Sequence, residues 1–182
     1  MNKSNSNYEI KQLEERVVFR NQYIGLRNDL VRFPNGEITE YAVVETSDFC
    51  GTLCFTKNKK VVVLKQFRYP WLRFSWEMSS GIIEQGEIPK EAAIREVQEE
   101  TGYRVINISP LLDYYPIGNN SSVGYLFFAE VEFSGSTFDT DEIEQVKEYS
   151  IEEFDVLIEN GEIIHGTTLL AYFYAKNKGL LK

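Results

Sequence analysis

Residues Gly81 to Tyr103 read Gly-Ile-Ile-Glu-Gln-Gly-Glu-Ile-Pro-Lys-Glu-Ala-Ala-Ile-Arg-Glu-Val-Gln-Glu-Glu-Thr-Gly-Tyr. A glycine-bounded loop here feeds a short helix carrying more carboxylate than a surface helix needs. Pro89 suits the first helical turn, where its missing N–H is no loss. Gly102 suits the position just past the end, where a left-handed residue closes the last turn. Ala93, Ile94, Val97 and Thr101 share one side at helical spacing, so that side is expected to pack inward. Glu96, Glu99 and Glu100 fall on an adjacent side, because residues three and four apart are helical neighbours.

Three carboxylates within one turn repel one another unless a cation sits among them. Oxygen-only ligands suit a hard divalent ion, Mg²⁺ or Mn²⁺, and leave places for water and substrate phosphate. Glu96 and Glu100 are the first-rank metal ligands, with Glu99 as a further ligand or local base. Arg95, four residues before Glu99, is spaced to pair with it. Glu87, near the helix N-terminus, favours the dipole and ties down the loop. A solvated acidic face is the ordinary explanation of a lone Glu-x-x-Glu-Glu. The two glycines and the arginine locked to this cluster argue against it here.

The same spacing is a signature. Gly81, five residues, Glu87, seven residues, then Arg95-Glu96-Val97, Glu99-Glu100 and Gly102-Tyr103 resembles the Nudix box of the Nudix hydrolases, with Tyr103 standing where an aliphatic residue is usual. The resemblance implies divalent-metal-dependent cleavage of a nucleoside diphosphate linked to another group. It also implies an α/β fold, the Nudix-type α/β/α sandwich with a mixed sheet. Flanking residues are similar to the branch that hydrolyses ADP-ribose and nucleoside diphosphate sugars. These are Asn35-Gly36 followed by Tyr41 to Glu45, Gln66-Phe67-Arg68-Tyr69-Pro70, Trp76-Glu77, Pro116, and Asn160 to Ile163 leading to Thr167-Thr168. That branch implies a small N-terminal antiparallel β unit before the catalytic domain, and a homodimer exchanging its N-terminal parts. By position it implies that Arg68 binds substrate and that the Ser80 main-chain carbonyl joins Glu96 and Glu100 at the metal.

The chain has 182 residues, 43% hydrophobic and 14% aromatic, enough for one globular domain with a small appendage. Its formal charge of −9 argues against broad nucleic-acid or anionic-membrane binding. The polar start Met1 to Asn7 contains no secretory apolar region, and Val61 to Leu64 is too short to span a bilayer. Cys50 and Cys54 lie four apart in an expected strand, too far apart for a disulfide, and a reduced cytoplasmic setting fits.

Two regions are expected, 1–46 as tail and β unit and 47–182 as the catalytic domain. In the first, Val17 to Phe19, Tyr23 to Leu26, Leu30 to Phe33 and Ile38 to Val44 read as strands, with Asn35-Gly36 as a hairpin turn. Such a thin sheet should pack on something, a partner subunit being one option. Gly51 to Phe55 and Val61 to Arg68 form a second hairpin across Lys57-Asn58-Lys59, and Val61 to Leu64 reads as a strand buried on both faces. Asn107 to Tyr115, Val123 to Phe133 and Val146 to Tyr149 are further strands, with an acidic loop from Asp139 to Glu144. Ser150 with Glu153 is a capping box opening a helix that ends near Gly161. A last helix opens at Thr167 or Thr168 and stops at Gly179.

A diphosphate is attacked by water while its charge spreads over non-bridging oxygens, so positioning and electrostatics carry the catalysis. The catalytic candidates are Glu99, Glu100, Arg95 and Glu87. Arg68 is the candidate to hold a phosphate or terminal ribose. Trp76 offers a stacking surface, and Asn119 and Asn120 can contact a sugar hydroxyl, although asparagines in such a loop are commonly turn formers. Members of the resembled branch often place a glutamate about five residues after the proline at 116. Here Ile117 to Ser122 contains no carboxylate, so the base stays open among Asp141, Glu142, Glu144 and the box glutamates. His165, the single histidine, reads as a polar contact at a helix start. Two other readings stand beside hydrolysis of ADP-ribose or a nucleoside diphosphate sugar. One takes a dinucleotide cofactor (NADH or FAD) or a nucleoside triphosphate as substrate; the other is a non-catalytic nucleotide-sensing module.

Overall fold

The structure is a computed structural model and describes residues 9–135 and 142–181. The chain divides into two compact units, Met1–Ser47 with Tyr115–Ser122, and Asp48–Tyr114 with Val123–Lys182.

In the first unit, β1 (Lys11–Glu14), β2 (Val17–Arg20), β3 (Ile24–Arg32) and β4 (Ile38–Thr46) form an antiparallel sheet around β3. β1 and β2 share one edge of β3 and β4 takes the other. Gly36 turns the β3–β4 hairpin at φ 88°, a conformation that costs glycine little. The 115–122 segment runs beside β4, with the Val44 N–H donating to the Asn119 carbonyl at 2.8 Å. Asp29 is buried on β3 and is held by Gln12 at 2.8 Å and Arg27 at 3.0 Å, as a buried charge must be. The opposite character appears on β2, where Val17, Val18 and Phe19 are all exposed.

The second unit contains β5 (Phe49–Thr56), β6 (Val61–Arg68), a 3₁₀ turn (Tyr69–Trp71), β7 (Arg73–Glu77), β8 (Ser79–Ile82) and α1 (Pro89–Thr101). After α1 come β9 (Tyr103–Tyr114), β10 (Gly124–Phe133), β11 (Ile143–Tyr149), α2 (Ile151–Glu159) and α3 (Gly166–Asn177). The sheet order is β11-β6-β5-β10-β9, with β7 added to β6 and β8 to β5. β5 and β10 run parallel while the other pairings are antiparallel, so the sheet is mixed.

Alternation along β6 explains the layering. Val61 and Val63 pack with Phe154 and Leu157 of α2 and Tyr172 of α3, while Val62 packs with Val97 of α1 on the other face. Each such buried aliphatic side chain contributes roughly 1.5–3 kcal/mol relative to exposure. An α/β/α sandwich results, as expected. The core side of α1 is Ala92, Ala93, Val97 and Thr101, with Ala92 rather than Ile94 at its start; the smaller residue fits the close approach to Cys50 and Phe127. β7 and β8, not among the strands expected from the sequence, are short strands completed by their partners. α3 begins at Gly166, one residue before the earlier of the two expected starts, Thr167 or Thr168, with His165 as its N-cap. Among the described residues, no helix is long and apolar enough to cross a membrane.

Candidate active site

α1 starts on Pro89 and closes on Gly102 at φ 71°, whose N–H donates to the Gln98 carbonyl. Within this frame Arg95 gathers the acids. Its Nε and Nη2 form a fork on Glu87, both at 3.0 Å, and its Nη1 reaches Glu96 at 2.8 Å and Glu99 at 3.1 Å. Nη2 also donates to the Ile82 carbonyl at 3.1 Å. Glu87 in turn accepts the Glu84 N–H at 3.1 Å, which ties the loop to the helix. The Arg95 hydrogen bond holds the Glu87 carboxyl below its usual range, and Glu87 in return raises Arg95.

Glu96 and Glu100 occupy the inner side. Burial raises both, Glu100 to about 7, because no counter-charge fully replaces the lost water. The Ser80 N–H donates to Glu100 Oε2 at 2.9 Å, so it is the amide of Ser80 that is seen against this carboxylate. Gly81 forms a cradle for Glu96: a Cβ at Gly81 would lie 2.0 Å from Glu96 Oε1. Glu99 differs, with its side chain 58% exposed and, among the described residues, engaged only by Arg95.

Among the described residues no group of three or more acidic, histidine or cysteine side chains forms a ready cage for an ion. Two half-buried carboxylates one helical turn apart nevertheless fit a small hard cation that keeps waters and substrate phosphate as ligands. The residues present therefore fit a divalent ion at Glu96 and Glu100.

A second cluster lies on β6 and β7. Gln66 and Arg68 of β6 share a face with Ser75 and Glu77 of β7, as alternation requires. The Arg68 Nε and Nη2 grip fully buried Glu77, with Nη2 2.5 Å from Oε2. Beside Arg68 opens a cleft of about 450 Å³, lined by Phe67, Tyr69, Phe74 and Glu142 among others. Gln66 Nε2 donates to Glu142 Oε2 at 2.7 Å. A register shift in β11 between Ile143 and Gln145 separates Glu142 from Glu144, whose carboxylate pairs with Lys65 at 2.7 Å. Asp141 lies outside the described residues.

Trp76 is not brought to this cleft. It faces the opposite side of β7, 5% exposed, against Tyr149 and the α2–α3 core. Asn119 and Asn120 belong to the other unit. There the Asn120 carboxamide oxygen accepts from the Ser122 N–H and hydroxyl, both at 2.7 Å, an arrangement that shapes the loop. Glu77 carries more of the site than its place beside Trp76 suggested. A carboxylate between two bulky apolar residues, Trp76 and Met78, at the end of an extended run was the available signal, since it must point to the other face and find a partner.

The family model described as a NUDIX domain matches residues 50–171, and that of a nucleoside diphosphate sugar hydrolase N-terminal domain matches 10–44. An ADP-ribose pyrophosphatase of Bacillus subtilis (strain 168) is 30% identical over 182 residues, covering 95% of this chain and 98% of its own. A methanol dehydrogenase activator of Bacillus methanolicus is 26% identical, covering 96% and 97%. The crystal structure of an ADP compounds hydrolase superposes with a TM-score of 0.82 at 18% identity, over 97% of this chain and 98% of that one.

Proposed function

The chain belongs to the NUDIX family, and from that premise we propose that it hydrolyses the pyrophosphate bond of ADP-ribose or a related nucleoside diphosphate sugar. The products are a nucleoside monophosphate and a sugar phosphate. The observation that carries this is the inner carboxylate pair of α1, Glu96 cradled at Gly81 and Glu100 against the Ser80 N–H.

The family is one of divalent-metal-dependent hydrolases, and Mg²⁺ is the ion proposed here, with Mn²⁺ as the substitute. When bound it supplies charge neutralisation of the diphosphate and acidifies a water. Glu96 and Glu100 would hold it, with the Ser80 main chain adjoining. Arg95 sets the direction of Glu96 and fastens the loop through Glu87. Arg68 holds a phosphate or ribose through donors directed into the cleft. Glu142 and Glu144 both line Arg68's cleft, and Glu142 is the acid proposed to orient water and take its proton, because Glu144 is paired with Lys65 while the Glu142 carboxylate accepts only a neutral amide donor from Gln66 among the described residues.

Two further points complete the reading. A homodimer is supported by the apolar side chains exposed on β2. A cytoplasmic setting is supported by Cys50 and Cys54, both buried free thiols.

The test is turnover of a panel of ADP-ribose, UDP- and GDP-sugars, NADH, FAD and triphosphates with Mg²⁺, followed by monophosphate release. Glu100→Gln should lower kcat at least about 10²-fold while the circular dichroism spectrum stays unchanged. Near-normal activity in that variant would refute the ligand assignment, and binding without turnover of any compound would favour a sensing module.

A further inference from the structure

Arg68 does not stand alone with its carboxylate. Glu77 Oε2 is shared: one side takes Arg68 Nη2, and the other faces His165 Nδ1 at 3.1 Å. An acceptor-only carboxylate at this distance calls for the proton on Nδ1, where it lies between Glu77 Oε2 and Thr168 Oγ1. The same nitrogen lies 3.0 Å from Thr168 Oγ1, which accepts the Met78 N–H at 3.1 Å. The imidazole lies tilted at 46° to the Trp71 ring, with 6.2 Å between centroids.

The backbone on both sides of this contact is anchored. The Trp76 N–H donates to the Glu162 carbonyl at 3.0 Å, the Ile164 N–H to Ser75 Oγ at 3.3 Å, and Arg73 Nη2 to the Gly161 carbonyl at 3.0 Å. The segment entering α3 is therefore stitched along β7, and its end delivers His165 to a carboxylate that has no exposure. The Arg68 fork holds both Glu77 oxygens from one side, and the His165 ring stands against the carboxylate on the other. The direction of Glu77 sets the direction of the Arg68 fork. Arg68 Nη1 has no hydrogen-bond partner among the described residues and is the donor left for a ligand.

We propose that His165 is a positioning residue for substrate: through Glu77 it fixes the angle at which Arg68 presents its remaining donors to the cleft. This rests on the reading of Arg68 given above. It gives the start of α3, distant in sequence from the acidic helix, a part in substrate affinity.

The experiment compares the wild type with His165→Phe, which keeps a ring against Trp71 but has no donor, and His165→Asn, whose amide replaces Nδ1–H. Two quantities are read: KM and kcat for ADP-ribose, and the hydrogen-exchange rate of the Arg68 Nε–H by ¹⁵N NMR. In His165→Phe, KM should rise about tenfold with kcat within about twofold, and the Arg68 exchange should accelerate by a similar factor. His165→Asn should restore both. A His165→Phe variant with unchanged KM, or with unchanged Arg68 exchange, overturns the proposal, as does failure of His165→Asn to rescue. If His165→Phe does not fold, His165→Leu replaces it. Should the wild type turn over no compound, the functional reading fails, and the Arg68 exchange rates alone decide the role of His165.

Discussion

Gly81 shows how one missing methyl group shapes a reactive centre. The Glu96 carboxylate occupies the space that a Cβ would need, 2.0 Å away, and backbone cannot yield as easily as the end of a side chain. Gly81→Ala should therefore displace Glu96 rather than unfold the protein. The expected result is a loss of about 10²-fold in kcat/KM, as for a misplacement of about an ångström, with a melting temperature near that of the wild type; a fully active variant would contradict it. His165 gives a second residue-level test. Its folded pKa lies below the ordinary 6.5 because it is buried. Below pH 6.5 the unfolded chain binds a proton that the folded chain resists, so this group's contribution is intact above 6.5 and is lost as pH falls. Thermal melts of His165→Asn should lose less stability between pH 7.5 and 5.5 than the wild type does, and an equal or larger loss would count against it. Both residues were visible in the sequence, but the carboxylate cradle at Gly81 needs three dimensions, and so does the histidine–glutamate contact across 88 residues of chain (165 − 77).

Local rules settled the elements unevenly. The end of α1 at Gly102, the hairpin at Gly36 and the start of α2 were legible because each is dictated by residues within one turn. In α2, Ser150 Oγ accepts the Glu153 N–H at 3.2 Å and Glu153 returns to the Ser150 N–H at 2.7 Å. Ser150→Ala should cost about 1 kcal/mol, or roughly 2–4 °C in melting temperature by calorimetry; no change would mean that tertiary packing alone sets this helix start. β7 and β8 were not legible. Their residues carry Trp, Glu and paired serines without a clean alternation, and only pairing to β6 and β5 makes them strands. The face of Trp76 was lost with them, since side-chain direction in a strand follows from register. The acidic helix faces the same limit. Spacing put three glutamates together, yet it could not show that Arg95 holds Glu99 outward while Glu96 and Glu100 turn in.

At the scale of the whole molecule, the mixed sheet carries α1 on one face and α2 with α3 on the other, so acid cluster and Arg68 both lie on the α1 side. The N-terminal sheet leaves Val17, Val18 and Phe19 exposed, which single-chain folding does not explain. Sedimentation velocity over a rising concentration series should show a species of twice the 21.1 kDa chain mass, and Val18→Asp should shift it toward the single chain. A lone 21.1 kDa species at every concentration would end the dimer proposal.

The guanidinium threaded among Glu87, Glu96 and Glu99 has a bearing on how the protein survives scarcity. A helix that depended on its ion to quench self-repulsion would come apart whenever a chelator removed it. With a permanent positive charge already lodged in the acidic turn, the emptied protein keeps its scaffold and simply waits. Loss of a bound divalent ion should then be a pause, undone by resupply and without any need to refold.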